Sequence, residues 1–181
     1  MVEKWDADIR GAGAHLSPAG PGRVHVIFNP ASGRGRGRDR IPTYLALLSR
    51  HLREFDHSIT VSGGDEARLA RMALEAGAET VVAVGGDGTW SQVADQVIDW
   101  PGGARLAVLP SGTGNDFGRN LGLSYNEPED AVRALAAGRT RRVDIGRVVS
   151  LSAADSQSQT PRVYRFRYFL NLVGFGFDIA V

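Results

Sequence analysis

Thr80-Val81-Val82-Ala83-Val84 is an unbroken β-branched and apolar run that passes straight into Gly85-Gly86-Asp87-Gly88-Thr89. A strand with one wet face alternates polar and apolar residues, whereas a strand covered on both faces reads as a continuous apolar run. Glycines at its end permit a sharp turn and let a ligand approach the main chain without Cβ clashes. Helical spacing then runs from Thr89 to Asp99 and stops before Pro101. Buried strand, glycine turn and helix in that order make the repeating unit of a parallel α/β sheet.

The unit recurs on both sides. Val24 to Phe28 reads as a strand, followed by Asn29-Pro30-Ala31-Ser32-Gly33 and by Arg34, Arg36, Arg38 and Arg40 interleaved with Gly35, Gly37 and Asp39. Ile41, Leu45, Leu48, Leu52 and Phe55 recur at helical spacing, with Pro42 in the first turn of the predicted helix. Ser58 to Val61 reads as a short strand, and Gly64 to Ala76 as a helix stopped at Gly77. Arg105 to Leu109 is a further strand, followed by Pro110-Ser111-Gly112-Thr113-Gly114-Asn115-Asp116-Phe117. A short helix over Asn115–Leu121 and a longer one over Glu127–Ala137 complete this region, the latter stopped at Gly138. In a parallel sheet the C-terminal ends of the strands share one edge, where ligands bind, so the three glycine loops emerge together.

After Arg142 the pattern changes. Val143–Val149 and Arg162–Val173 predict a β-hairpin around the polar stretch Ser150–Pro161, with Tyr164, Phe166, Tyr168 and Leu170 alternating with polar positions. Residues 1–22, broken by Gly11, Gly13, Pro18, Gly20, Pro21 and Gly22, read as a flexible tail.

Composition removes several chemistries. Cys is 0, so disulfides, thiolate nucleophiles and Cys-ligated metals are out. Lys4 is the lone lysine and sits in neither a Walker A loop nor a kinase-type strand, which excludes both of those ATP-site designs. The 4 histidines lack metal-ligand spacing, show no evident carboxylate partner and read as structural. A net charge of +1 argues against nucleic acid as a partner. No apolar run approaches the ~18 residues of a membrane span, and the polar N-terminus lacks a signal peptide's apolar core, so a cytoplasmic chain is expected.

Each loop admits a plain reading and a chemical one. Gly85 to Thr89 at a strand end favours an anion, typically phosphate. Asp87 would repel phosphate, unless it meets Mg²⁺ through water or accepts hydrogen bonds from a ribose or from backbone; otherwise the motif is an Asp-Gly turn capping a helix. Thr113, Asn115 and Asp116 offer a hydroxyl, an amide and a carboxylate, or else Asn115 or Asp116 is simply a helix cap. The Gly/Arg stretch after Asn29 is a phosphate clamp or a solvated loop; it is not GxGxxG, because position 38 is Arg. Arg139, Arg141 and Arg142, and Arg162, Arg165 and Arg167, read as solvated faces or partner contacts. Three such loops on one sheet edge point to a nucleotide site that holds phosphates with backbone and Arg.

Asn29 to Gly33, Gly85 to Thr89, Gly112-Thr113-Gly114-Asn115-Asp116-Phe117 and Asn171-Leu172-Val173-Gly174-Phe175-Gly176-Phe177-Asp178 occur in the order found in the diacylglycerol kinase catalytic domain family. The chain resembles these lipid kinases from about residue 23 onward; NAD kinases and phosphofructokinases are distant relatives sharing the GGDG signature. The resemblance implies a three-layer α/β domain with a parallel sheet over 23–142 that binds ATP. It further implies that 143–181 is a hairpin leading into a second β-sandwich domain, beginning where the chain stops. It implies that Asn29, Pro30, Ala31, Ser32 and Gly33 contact the ATP phosphates, with Thr60 nearby. Gly85, Gly86, Asp87, Gly88, Thr89, Trp90, Ser91 and Thr113 would line the nucleotide. Asp87, as a supporting catalytic group, and Asp116 would organise Mg²⁺.

The implied reaction moves the γ-phosphoryl of ATP to a lipid hydroxyl such as that of diacylglycerol, at a membrane surface the protein meets peripherally. The alternatives are a kinase for a soluble acceptor, as in NAD kinases, and a non-catalytic nucleotide module. Family members usually continue after GGDGT with an apolar residue and Asn-Glu; here Trp90-Ser91-Gln92 stands instead, which removes a carboxylate. The general base is expected in the second domain, so residues 1–181 are expected to bind nucleotide and turn over poorly. An unfinished sheet edge after Arg162 makes a homodimer a further expectation.

Overall fold

The computed structural model describes residues 15–16, 20–151 and 164–171. The chain divides into two units, Gly13–Arg142 and a second made of Met1–Ala12 with Val143–Val181.

In the first unit, β1 (His15–Leu16) is followed by β2 (Val24–Phe28), α1 (Gly37–His51), β3 (Asp56–Ile59), α2 (Asp65–Glu75), β4 (Thr80–Gly85), α3 (Asp87–Ile98), β5 (Arg105–Pro110), α4 (Asp116–Asn120), α5 (Pro128–Ala136) and β6 (Arg139–Thr140). Strands β3-β2-β4-β5 form a parallel sheet in that order. The chain steps from β2 outward to β3, then returns across β2 to β4 and β5. Right-handed crossovers running in opposite directions place α1 on one face and both α2 and α3 on the other. One core accordingly gathers Val24, Val26, Phe28, Val82, Val84 and Leu109 against Tyr44, Leu47 and Leu48 of α1 and Ala131, Val132 and Leu135 of α5. The alternate residues Ile27, Val81 and Ala83, also buried, point to the other face, where α2 and α3 pack on each other and on β2 and β4. The expected three-layer α/β architecture is therefore present.

Within the stretch read as a tail, β1 pairs antiparallel with β6. The Pro21 carbonyl accepts the Thr80 hydroxyl and an Arg105 N–H at 2.8 Å, and the Gly20 carbonyl accepts another Arg105 N–H at 2.9 Å.

Several element boundaries differ from the sequence reading, the hairpin's first strand beginning at Gly146 rather than Val143 among them. Helix α1 starts at Gly37, because the carbonyls of Ser32 and Pro30 take up the N–H groups of Gly37 and Arg38 at 2.9 and 3.1 Å. Pro42 thus lies inside the helix, in its second turn, where it removes one intrahelical bond. Strand β3 begins two residues earlier than expected and stops at Ile59, since the Val61 N–H is taken by Asp65 Oδ2 at 3.0 Å. Helix α3 begins at Asp87, two residues before Thr89.

In the second unit, β7 (Gly146–Leu151) pairs antiparallel with β8 (Tyr164–Phe169), Gly146 opposite Phe169. This is the predicted hairpin. Residues 152–163, most of the polar stretch, and 172–181, most of the fourth motif, lie outside the described residues.

Candidate functional site

In register, Phe28 stands opposite Val84 and Gly85 opposite Pro110. The loops after β2, β4 and β5 therefore leave the same sheet edge. The sheet order reverses between β2 and β4, so the first two loops run to opposite faces at the switch point, where α/β proteins bind ligands.

The first loop is held from beneath. Asn29 N–H donates to the Val84 carbonyl at 3.0 Å. The Asn29 side-chain Nδ2 donates to Glu66 Oε1 at 2.8 Å and to Thr89 Oγ1 at 2.9 Å, while its Oδ1 accepts the Ala31 N–H at 2.8 Å. One amide thus ties the end of β2 to the first turns of α2 and α3. The hydroxyls of Ser32 and Ser111 lie 2.6 Å apart, joining the first loop to the third. Gly33 is left-handed at φ +59°, and a Cβ there would sit 2.8 Å from the Ser111 carbonyl oxygen.

The second and third loops touch through their main chains. A Cβ on Gly112 would lie 2.5 Å from Gly86 Cα, so the third loop tolerates no side chain at that crossing, and one on Gly86 would be tight at 3.1 Å from Gly112 Cα. The Gly85 carbonyl accepts the N–H groups of Ser111 and Gly112 at 2.7 and 3.0 Å. Tyr44 on α1 donates its hydroxyl to the Pro110 carbonyl at 2.8 Å, and burial pushes that phenol above its ordinary range.

Asp87 accepts the backbone N–H of Asp116 on Oδ2 at 3.1 Å and of Phe117 on Oδ1 at 3.0 Å. It therefore caps α4 from another loop. Asn115 occupies the cap position but is left-handed at φ 54° and makes no side-chain cap bond. Its amide instead closes on Gly112, accepting that N–H at 3.0 Å and donating to that carbonyl at 2.9 Å. Neither Asn115 nor Asp116 is the cap that the sequence suggests. The Asp116 carboxylate pairs with Arg119.

The predicted site residues are not all brought to one surface. Asn29 to Gly33, Gly85 to Thr89 and Thr113 lie on the three loops or their flanks, with Thr113 exposed. Trp90 is fully buried, donates Nε1 to the Ala83 carbonyl at 3.1 Å and meets Phe117 edge-on, so its indole faces the interior. Ser91 is half-buried on α3. Thr60 is buried at the end of β3, its N–H on the Phe28 carbonyl at 2.9 Å. Of the Arg stretch, Arg40 stacks 4.0 Å over the Tyr125 ring and donates to the Tyr125 carbonyl at 2.6 Å, which makes it a structural pin. Arg36 braces the turn through the Gly33 carbonyl at 3.1 Å, while Arg34 and Arg38 are exposed.

Two pairings escaped the sequence reading. Glu66 is buried beneath the first loop, although nothing in its spacing marks it. His51, read as having no carboxylate partner, lies 3.0 Å from Glu129 across α1 and α5. That contact, with help from Arg133 and Arg50, holds the Glu129 carboxyl below its usual range.

The fold and this edge define a class: an α/β domain with a parallel sheet whose interlocked glycine loops gather at the switch point. Within that class the chain belongs to the diacylglycerol kinase catalytic domain family, whose model matches residues 23–148. A diacylglycerol kinase of Staphylococcus epidermidis is 33% identical over 157 residues, covering 85% of this chain and 43% of that protein. One from Staphylococcus saprophyticus is 32% identical over 154 residues, with 85% and 45% covered. A crystal structure of a Bacillus anthracis diacylglycerol kinase superposes with a TM-score of 0.56 at 25% identity, covering 63% of this chain and 41% of that one. The chain thus spans less than half the length of these relatives. Among the described residues no helix is long and apolar enough to cross a membrane.

Proposed function

We propose that this chain is the ATP-binding part of a lipid kinase that transfers the γ-phosphoryl of ATP to a lipid hydroxyl, diacylglycerol being the acceptor that its relatives' names suggest. The observation that carries the reading is the locking of three glycine loops at the switch point by Asp87 on α4, Ser32 on Ser111, and Gly86 against Gly112. Such an edge offers main-chain donors to phosphate without a P-loop lysine. Space beside Gly88 is open within 4 Å of a notional Cβ, leaving its backbone approachable.

The residues fit Mg²⁺ only as an ion arriving with phosphates. No cluster of three His, Cys, Asp or Glu forms among the described residues. A notional Cβ on Gly114 lies 3.2 Å from Asp87 Oδ2 and 3.5 Å from Asp116 Oδ2, so two carboxylates converge there. One or two carboxylates plus phosphates and water suffice for Mg²⁺. When bound, the ion neutralises charge on the transferring phosphates. The chain's own part is positioning: Asp87 orients α4, and the loop amides present donors to the phosphate oxygens. The lipid acceptor places the working enzyme at a membrane surface.

Thermal unfolding with MgATP tests the site. At one hundred times Kd a real site adds about 2.7 kcal/mol, and no shift at saturation overturns the nucleotide reading. Incubation of the full-length protein with γ-labelled ATP and either diacylglycerol in micelles or NAD tests the acceptor. Label in the lipid supports the proposal, and label in NAD replaces it with a soluble-acceptor kinase.

A further inference from the structure

Glu66 stands in the first turn of α2, 3% exposed, with Oε1 on the Asn29 amide and Oε2 buried without a hydrogen-bond partner. A buried carboxylate oxygen left unpaired opposes folding. A leucine would fill the same space without that penalty, so packing alone gives no reason for an acid here. What the acid does is local and directional. An Asn amide can present either end after a half-turn. By accepting from Nδ2, Glu66 selects the orientation that gives the second Nδ2 hydrogen to Thr89 and leaves Oδ1 to accept the Ala31 N–H. That last bond shapes the turn of the first glycine loop, and Thr89 closes the second glycine motif.

We propose that Glu66 is a positioning residue of the nucleotide site, its buried carboxylate fixing the Asn29 amide and through it the relative placement of the first two glycine loops. The proposal rests on the nucleotide reading above. It assigns Glu66 no contact with the nucleotide; the effect passes through Asn29. The acid therefore shapes affinity more than it supports folding, the reverse of an ordinary buried polar residue.

The experiment is calorimetric titration of the chain with MgATP, beside thermal melting of the unliganded protein, for wild type, Glu66→Leu and Glu66→Gln. Glu66→Leu is expected to bind about tenfold more weakly while melting within a few degrees of wild type. Glu66→Gln keeps an acceptor of the same reach and is expected to bind within about threefold of wild type. Equal affinity in wild type and Glu66→Leu overturns the proposal, as does a glutamine as damaging as the leucine. Failure of the wild type to bind MgATP is a different result: it removes the nucleotide reading itself. Should Glu66→Leu not fold, hydrogen exchange at the Asn29 side-chain amide of the wild type decides. Slow exchange supports the clamp, and exchange at the rate of an exposed Asn overturns it.

Discussion

Asp87 Oδ1 accepts the Phe117 backbone N–H at 3.0 Å across 30 residues of sequence. The first helical residue after one glycine loop is thereby the cap of the short helix that follows another. Phe117 in turn packs edge-on against Trp90, one turn along the helix that Asp87 begins. The two loops are one mechanical unit, and a change in either is felt in both.

Removal of that carboxylate should loosen α4. Asp87→Ala leaves two backbone N–H groups without their acceptor, and the expected loss is about 0.5–2 kcal/mol, the range for deleting a helix cap. Asp87→Asn retains one acceptor oxygen and should lose less. Urea unfolding at neutral pH measures both. Equal stability of Asp87→Ala and wild type would show that the cap carries no free energy.

The glycines should separate by position. Gly112→Ala places a Cβ 2.5 Å from Gly86 Cα, a backbone atom that cannot step aside. Overpacking of this kind costs roughly 1–3 kcal/mol. Gly88 lies in α3 with nothing within 4 Å of a notional Cβ. Gly88→Ala should therefore stabilise by roughly 0.5–1 kcal/mol, yet weaken MgATP binding if its backbone meets phosphate. Melting and titration on the same two variants give four numbers. A stabilised Gly88→Ala with undiminished affinity would move the phosphates away from Gly88.

His25 predicts a pH dependence. Burial, opposed by Asp56 and reinforced by His57 and Arg23, lowers its pKa below the ordinary 6.5. Its Nε2 lies 2.7 Å from the Ser58 hydroxyl on β3. A base with a depressed folded-state pKa binds protons more readily when unfolded. Its contribution is therefore full above the unfolded value and is lost as pH falls toward the folded one. Wild type should weaken as pH falls below about 6.5, and His25→Gln should flatten that slope in denaturant melts. An unchanged slope would assign the dependence to other groups.

Much of this arrangement is legible residue by residue. The continuous apolar character of Val81 to Val84 announces a strand covered on both faces, and all four are buried. Gly85 and Gly86 announce a close approach, and the main chains of the second and third loops do meet there. The position of Asp87 before a helix announces hydrogen bonding to backbone as one possibility, and that is what it does. The role of Glu66 leaves no such mark. It lies 37 residues from Asn29, on a helix whose pattern reads the same with or without it. His51 and Glu129 are 78 residues apart and meet only because α1 and α5 share a face.

The sequence by itself determined most of the elements, their parallel alternation and the edge at which the glycine loops gather, because these follow from local periodicity and from the conformations glycine permits. Tertiary structure alone decided the strand order β3-β2-β4-β5, and with it the switch point, the cap that Asp87 lends to α4, and the burial of Glu66 beneath Asn29. Those depend on which helices share a face, and contacts between distant residues are selected by the packing of whole layers rather than by any spacing along the chain.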